Sequence, residues 1–213
     1  MLNSFDILLD KKSFVLYIAP FYIIKNNLPL IMWEFIQPIL EFDNPIVYAI
    51  PFFSLLILIE AYINYKERAD NYQLKDATAS ISMGLGSVFI DLITKSTALI
   101  LFKIIYTNYG LFNDALSFTV LGWVLLFFLD DVTFYFHHRF SHQVRLLWAA
   151  HVNHHSSVHY NLSTALRQSW AELLYKYVWY LWLPLLGFPP LMILTQISIS
   201  LIYQFWVHTK HIK

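Results

Sequence analysis

All nine histidines of this 213-residue chain lie between His137 and His211. Two groups have the spacing of metal ligands. His138 and His142 are four residues apart, which puts their rings on one helix face with Cβ atoms about 5–6 Å apart. His151, His154 and His155 are related as i, i+3 and i+4, again one face. Imidazole is the commonest metal-binding side chain and suits iron, zinc, copper and nickel. The bland alternative is a set of interfacial histidines at the headgroup level, but two ligand-spaced clusters so close together favour a metal. His208 is expected to join them from a later segment. His137 and His159 are expected to face solvent or bond locally, and His211 is left open. There are no cysteines, which excludes disulfides, thiolate zinc, iron–sulfur clusters and a thiol nucleophile. No H-E-x-x-H, G-x-S-x-G or Gly-rich phosphate loop is present. Ser156 and Ser157 therefore read as hydrogen-bond partners of the neighbouring cluster rather than nucleophiles.

Ligating rings need acceptors for their second nitrogen. Asp131 and Tyr135 precede His138 and His142 at helical spacing, so they are candidate catalytic residues behind the metal. Capping or a bundle-facing place suits Asp131 equally well. Asp91 and Lys95 form an i, i+4 pair inside an apolar stretch, which reads as a self-neutralising pair turned inward; Glu60 is ambiguous in the same way. Arg139 and Arg167 could meet a phosphate headgroup or a pterin, or simply bias the loops positive.

The elements that must carry these residues are apolar. Hydrophobic residues make up 58% of the chain and charged ones 13%, and the mean hydropathy is +0.52. A soluble domain is usually nearer 45–50% apolar and about 25% charged. Basic and acidic residues balance at 14 each, unlike a nucleic-acid binder, so no nucleic-acid partner is expected. Three stretches approach the roughly 20 residues needed to span a bilayer: 46–65, 81–106 and 118–136. A fourth, 173–207, breaks at Gly187-Phe188-Pro189-Pro190 and reads as a helical hairpin. Ser13 to Ile24 reads as interfacial. No secretory signal is expected, because Met1 to Lys12 is mixed in character. Lys66, Arg68 and Lys75 lie in one link and Arg139, Arg145, Arg167 and Lys176 in another, while 107–117 has no Lys or Arg. The positive-inside rule then places the histidines on the cytoplasmic side. The predicted fold class is all-α, a polytopic integral membrane helical bundle with a cytoplasmic histidine-rich region. Residues 1–44 form an N-terminal segment and 45–213 the membrane domain.

Three runs resemble a known family. DVTFYFHHRFSH (131–142) is similar to the first histidine box of the fatty acid hydroxylase/sterol desaturase superfamily. HVNHHSSVHYNLSTALRQ (151–168) resembles its second box, and YQFWVHTKHI (203–212) the segment before its third. The second and third runs are most like the alkylglycerol monooxygenase branch and its bacterial sterol desaturase-like relatives. The resemblance implies a multi-pass non-haem di-iron oxygenase, in the endoplasmic reticulum if eukaryotic or the inner membrane if bacterial. It implies O₂, a membrane lipid substrate and an electron donor as partners, with tetrahydrobiopterin the reductant of that branch. It carries over His138, His142, His151, His154 and His155 as metal ligands, with His208 as a further one. Gln143 stands where the branch has Glu, and Val158 and His159 where it has acidic residues. A third histidine box is expected shortly after His211, so the chain reads as an incomplete fragment or as a relative that has lost catalysis. A non-catalytic membrane scaffold or sensor, and a b-type haem electron carrier, are the alternative classes.

Overall fold

The computed structural model describes residues 44–211. The expected interfacial segment 13–24 and all but the last residue of segment 1–44 lie outside them. Among the described residues there are helices, turns and no strand. Helix α1 (Pro45–Glu67) starts where the Asn44 side chain accepts a hydrogen bond from the Ile46 N–H at 3.2 Å, with proline in its first turn. Proline there costs no hydrogen bond, because the first N–H groups of a helix have no intrahelical acceptor. It ends at Arg68, in the left-handed region at φ 52°. Helix α2 (Leu74–Tyr109) has 36 residues, about 54 Å at 1.5 Å per residue. A single short turn, α3 (Asn113–Leu116), leads to α4 (Val120–Gln143), whose Thr119 cap accepts from the Gly122 N–H at 3.0 Å. Helix α5 (Arg145–His151) follows almost at once, then two 3₁₀ turns, His154–Ser156 and Leu162–Leu166. The chain continues through α6 (Trp170–Tyr175), a third 3₁₀ turn (Lys176–Tyr180), α7 (Trp182–Leu186) and α8 (Pro190–Phe205).

Helix α2 is the spine. It packs against the 162–166 turn, α6, α7 and α8, while α8 also contacts α1 and α4. Phe102, Leu126, Leu183, Phe188, Met192 and Ile193 are fully buried at these junctions. Two small residues let neighbours approach α2: a Cβ on Gly86 would lie 2.3 Å from the Trp170 ring of α6, and one on Gly84 would lie 3.0 Å from Leu166 Cβ of the 162–166 turn. Trp170 Nε1 donates to the Met83 carbonyl at 3.0 Å, fixing that contact.

The expected hairpin forms, but only its second arm is one helix. The first arm is divided among α6, a 3₁₀ turn and α7. Pro184 lacks an N–H and its ring crowds the carbonyl one turn back, so a helix cannot run on through Tyr180 and α7 starts afresh at Trp182. Gly187 turns the chain at φ 111°, against the backbone of Phe112. The N–H groups of Leu111 and Phe112 donate to the carbonyls of Leu185 and Leu186, so this turn sits at the far end of α2 from Asp76.

Among the described residues two helices, α1 and α4, are long and apolar enough to cross a membrane. Neither is a core helix in disguise, since only 11% and 28% of their most apolar windows is buried. Phe52, Leu58, Phe128 and Val120 point outward instead, a surface suited to acyl chains rather than water. The expected span 81–106 is continuous helix inside α2, which is not one of that pair and carries Asp91, Lys95 and Lys103. Its ions do turn inward. Lys95 Nζ is 2.9 Å from Asp91, whose other oxygen accepts from the Tyr177 hydroxyl at 2.7 Å.

Candidate metal centre

Four imidazoles converge between the last turns of α4 and the end of α5 with the turn that follows it. One ring nitrogen from each of His138, His142, His151 and His155 lies within 4.8 Å of every other. Along α4 the spacing alone does this: His142 Nε2 is 3.0 Å from His138 Nε2. The His151 group is not on one continuous helix, because α5 stops at His151 and His154–Ser156 is a 3₁₀ turn. The turn continues the winding closely enough to bring His155 Nε2 to 3.1 Å from His151 Nε2. The Trp148 ring stacks on His155 at 5.9 Å and flanks His142 at 5.4 Å. His151 is buried, while His142 and His155 open outward, so one side of the cluster is accessible.

The donor set fits a metal ion. Nitrogen ligands about 2.1 Å from a metal stand ~3.0 Å apart at right angles and ~4.2 Å apart when opposed. The 3.0 and 3.1 Å pairs and the 4.8 Å limit match that shell after slight contraction.

Two further imidazoles meet beside the four. His154 Nδ1 lies 3.0 Å from the Arg167 carbonyl and His208 Nδ1 2.8 Å from the Gln204 carbonyl. A carbonyl only accepts, so each ring carries its proton on Nδ1 and its Nε2 is a bare lone pair. Those two Nε2 atoms face each other at 3.4 Å. The His154 ring is 5.2 Å from the His155 ring and 5.8 Å from that of His151, so the pair adjoins the cluster.

Behind His151 stands Glu172, which sequence reasoning missed. Its Oε2 is 3.1 Å from His151 Nδ1, and its Oε1 is 3.4 Å from His137 Nε2. His151 therefore donates Nδ1–H to a carboxylate and directs Nε2 into the cluster, the arrangement common to ligating histidines. His137, expected at solvent or in a local bond, is buried and turned toward this carboxylate. Burial alone would raise the Glu172 carboxyl. The hydrogen bond from His151, with the charges of His151, His137 and Lys176, holds it below the ordinary range instead. Burial pushes His155 down to about 4, with His154, His151 and His142 adding repulsion, and burial also lowers His154 and His208. Neutral rings are what a metal requires.

Asp131 and Tyr135 are not brought to the cluster. Asp131 is exposed, about 10 Å along α4 from His138, and the exposed Tyr135 hydroxyl accepts from Arg139. The face of α4 that turns inward carries Asp130, Thr133, His137 and Ser141, one residue out of register with the expected face. Gln143 is exposed at the end of α4, and His211 is exposed, its N–H donating to Thr209 Oγ1. The His159 N–H donates to Ser157 Oγ. Arg167 is buried and bonded within the protein, so it does not offer its guanidinium to a headgroup or pterin.

This is a histidine-rich metal-site architecture built at one end of an apolar helical bundle. A family model described as fatty acid hydroxylase matches residues 123–213, which contain every histidine. Alkylglycerol monooxygenase of Danio rerio is 37% identical over 166 residues, covering 78% of this chain and 37% of the relative. That of Homo sapiens is 36% identical over 176 residues, covering 82% and 39%. The Caenorhabditis elegans protein is 30% identical over 145 residues, covering 66% and 28%. The chain belongs to the fatty acid hydroxylase superfamily, with similarity to its alkylglycerol monooxygenase branch. It spans about two fifths of the length of the first two relatives, 37% and 39%. No solved structure matches it.

Proposed function

We propose that this chain carries the iron centre of a membrane-bound lipid monooxygenase that uses O₂ on a lipid C–H bond. The observation that supports it most is the convergence of His138, His142, His151 and His155 within 4.8 Å, with the His154–His208 pair alongside. The four-imidazole cluster would hold one iron firmly, and the pair would hold part of the shell of a second. Bound iron would supply O₂ activation and the oxidation of the C–H bond. The protein's part is geometric. Glu172 fixes the His151 tautomer, the carbonyls of Arg167 and Gln204 fix those of His154 and His208, and Trp148 screens one side. Asp131 and Tyr135 receive no role in this reading.

The relatives are named for alkylglycerols, which makes an ether lipid the first substrate to test, with tetrahydrobiopterin the first reductant. The proposed topology is multi-pass with the histidines at the cytoplasmic face. Asp76 at the start of α2 bonds Ser157, and Lys210 reaches Asn71 at 3.3 Å, so the 66–75 link lies at the histidine end. Lys66, Arg68, Lys75, Arg139 and Arg145 gather at that end, as the positive-inside rule asks. A haem reading is disfavoured, because haem needs two imidazoles on opposite faces of a flat ring. Here neighbours four residues apart converge at 3.0 and 3.1 Å.

The test is anaerobic loading of the purified chain with ferrous iron, followed by O₂ uptake with an alkylglycerol and tetrahydrobiopterin. Retained iron and lipid-dependent uptake, both reduced in His154→Ala and His138→Ala, are the expected result. Iron content indifferent to both substitutions overturns the assignment.

A further inference from the structure

Arg167 and Asp76 are 91 residues apart in sequence, yet Arg167 Nη2 lies 2.5 Å from Asp76 Oδ1. Each other nitrogen of the guanidinium also has a partner: Nε donates to Ser80 Oγ at 3.1 Å and Nη1 to Ser156 Oγ at 2.7 Å, while Nη2 reaches the Asp76 carbonyl as well at 3.3 Å. The second Asp76 oxygen accepts from Ser157 Oγ at 2.6 Å. Ser80 in turn donates to the Asp76 carbonyl at 3.0 Å. Arg167, Ser80 and Asp76 are all shielded; the side chains of Arg167 and Asp76 are 9% and 15% exposed. An ion pair withdrawn from water needs this degree of satisfaction to persist. The pair holds the chain at two points that bear on His154. Ser156 and Ser157 follow His155 directly, and the Arg167 carbonyl is the acceptor for His154 Nδ1–H.

We propose that Asp76 and Arg167 are positioning residues for the second metal half-site. By holding the 154–157 turn and the Arg167 carbonyl against α2, they keep His154 in its Nδ1–H tautomer with Nε2 aimed at His208. The inference rests on the metal-centre reading above and extends it to a residue on a helix that contributes no imidazole. Three of the four rings of the main cluster do not depend on this clamp: α4 sets His138 and His142, and Glu172 holds His151. Loss of Asp76 therefore acts selectively on the His154–His208 pair rather than on the whole centre. An oriented partner behind a ligand is commonly worth about 10- to 100-fold in metal affinity.

The experiment is calorimetric titration of the detergent-solubilised full chain with Co²⁺, alongside ¹⁵N spectra of the metal-free histidines. Wild type is expected to show a tight class of site and a weaker one, with His154 as the Nδ1–H tautomer. Asp76→Asn is expected to weaken the weaker class about 10-fold or more. The tight class stays within about twofold, and His154 becomes a mixture of tautomers. Equal weakening of both classes, or of neither, overturns the proposal. If wild type binds no Co²⁺, the metal-centre reading falls, and the tautomer of His154 still judges the clamp: kept in Asp76→Asn it refutes it, lost it supports it. Should Asp76→Asn not fold, Ser80→Ala removes one acceptor from Arg167. It is then expected to weaken the same class by about two- to ten-fold, and no change there overturns the proposal.

Discussion

His154 and His208 stand 54 residues apart in the chain and face each other Nε2 to Nε2 at 3.4 Å, each with its other nitrogen committed to a main-chain carbonyl. Two lone pairs so placed repel unless a cation or a proton lies between them. The arrangement is thus a site that bound metal would stabilise. His208→Ala is expected to abolish the weaker class of metal site and leave the tighter one intact, read by titration with Co²⁺. Loss of both classes would place His208 in the main cluster instead.

Glu172→Gln keeps the shape of the side chain but removes the charge behind His151. Metal affinity at the four-imidazole cluster is expected to fall about 10- to 100-fold, measured by competition with a chelator. An unchanged affinity would show that the His151 Nδ1–H bond does not tune the site.

Acid should weaken the metal-free protein through His155. Its pKa is about 4 in the fold against an ordinary 6.5, so between those values the unfolded chain binds more protons than the folded one. Stability therefore falls as pH drops from about 6.5 to 4 and is insensitive to this group above about 7. His155 is exposed, so solvent screens the effect and it is modest. Thermal unfolding at pH 7.5 and 4.5 checks it. His155→Asn is expected to narrow the difference, and an identical difference in the variant would contradict the assignment.

Gly86→Ala tests the spacing of α2 and α6. The new methyl group would overlap the Trp170 ring, forcing α6 and with it Glu172 outward. A loss of about 1–3 kcal/mol is expected, with a lowered melting temperature and weakened metal binding. A variant as stable as wild type would mean that α6 packs elsewhere.

Much of this was legible because local spacing dictates it. His138 and His142 are neighbours on any helix, and the HxxHH group survives even though α5 ends at His151, since a 3₁₀ turn winds in nearly the same sense. Composition likewise marked α1 and α4 as helices with apolar exteriors. Spacing failed where tertiary packing chose between adjacent faces. Asp131 and Tyr135 share a face with His138, but the bundle buries the face of Asp130 and His137 instead. Glu172 lies 21 residues from His151 and Asp76 lies 91 from Arg167, separations that carry no periodic signal. The one hint was chemical: Glu172 is a lone acid in a run of apolar and aromatic residues. The divided first arm of the hairpin had a visible cause in Pro184, a second breaker beside the turn.

The most direct test of the metal centre is X-ray absorption at the iron edge of the anaerobically loaded chain. A first shell of nitrogen and oxygen at about 2.1 Å, with outer-shell scattering from several imidazoles that falls in His138→Ala, is the predicted result. Iron that does not bind, or that binds with the same imidazole scattering in wild type and His138→Ala, would contradict the account.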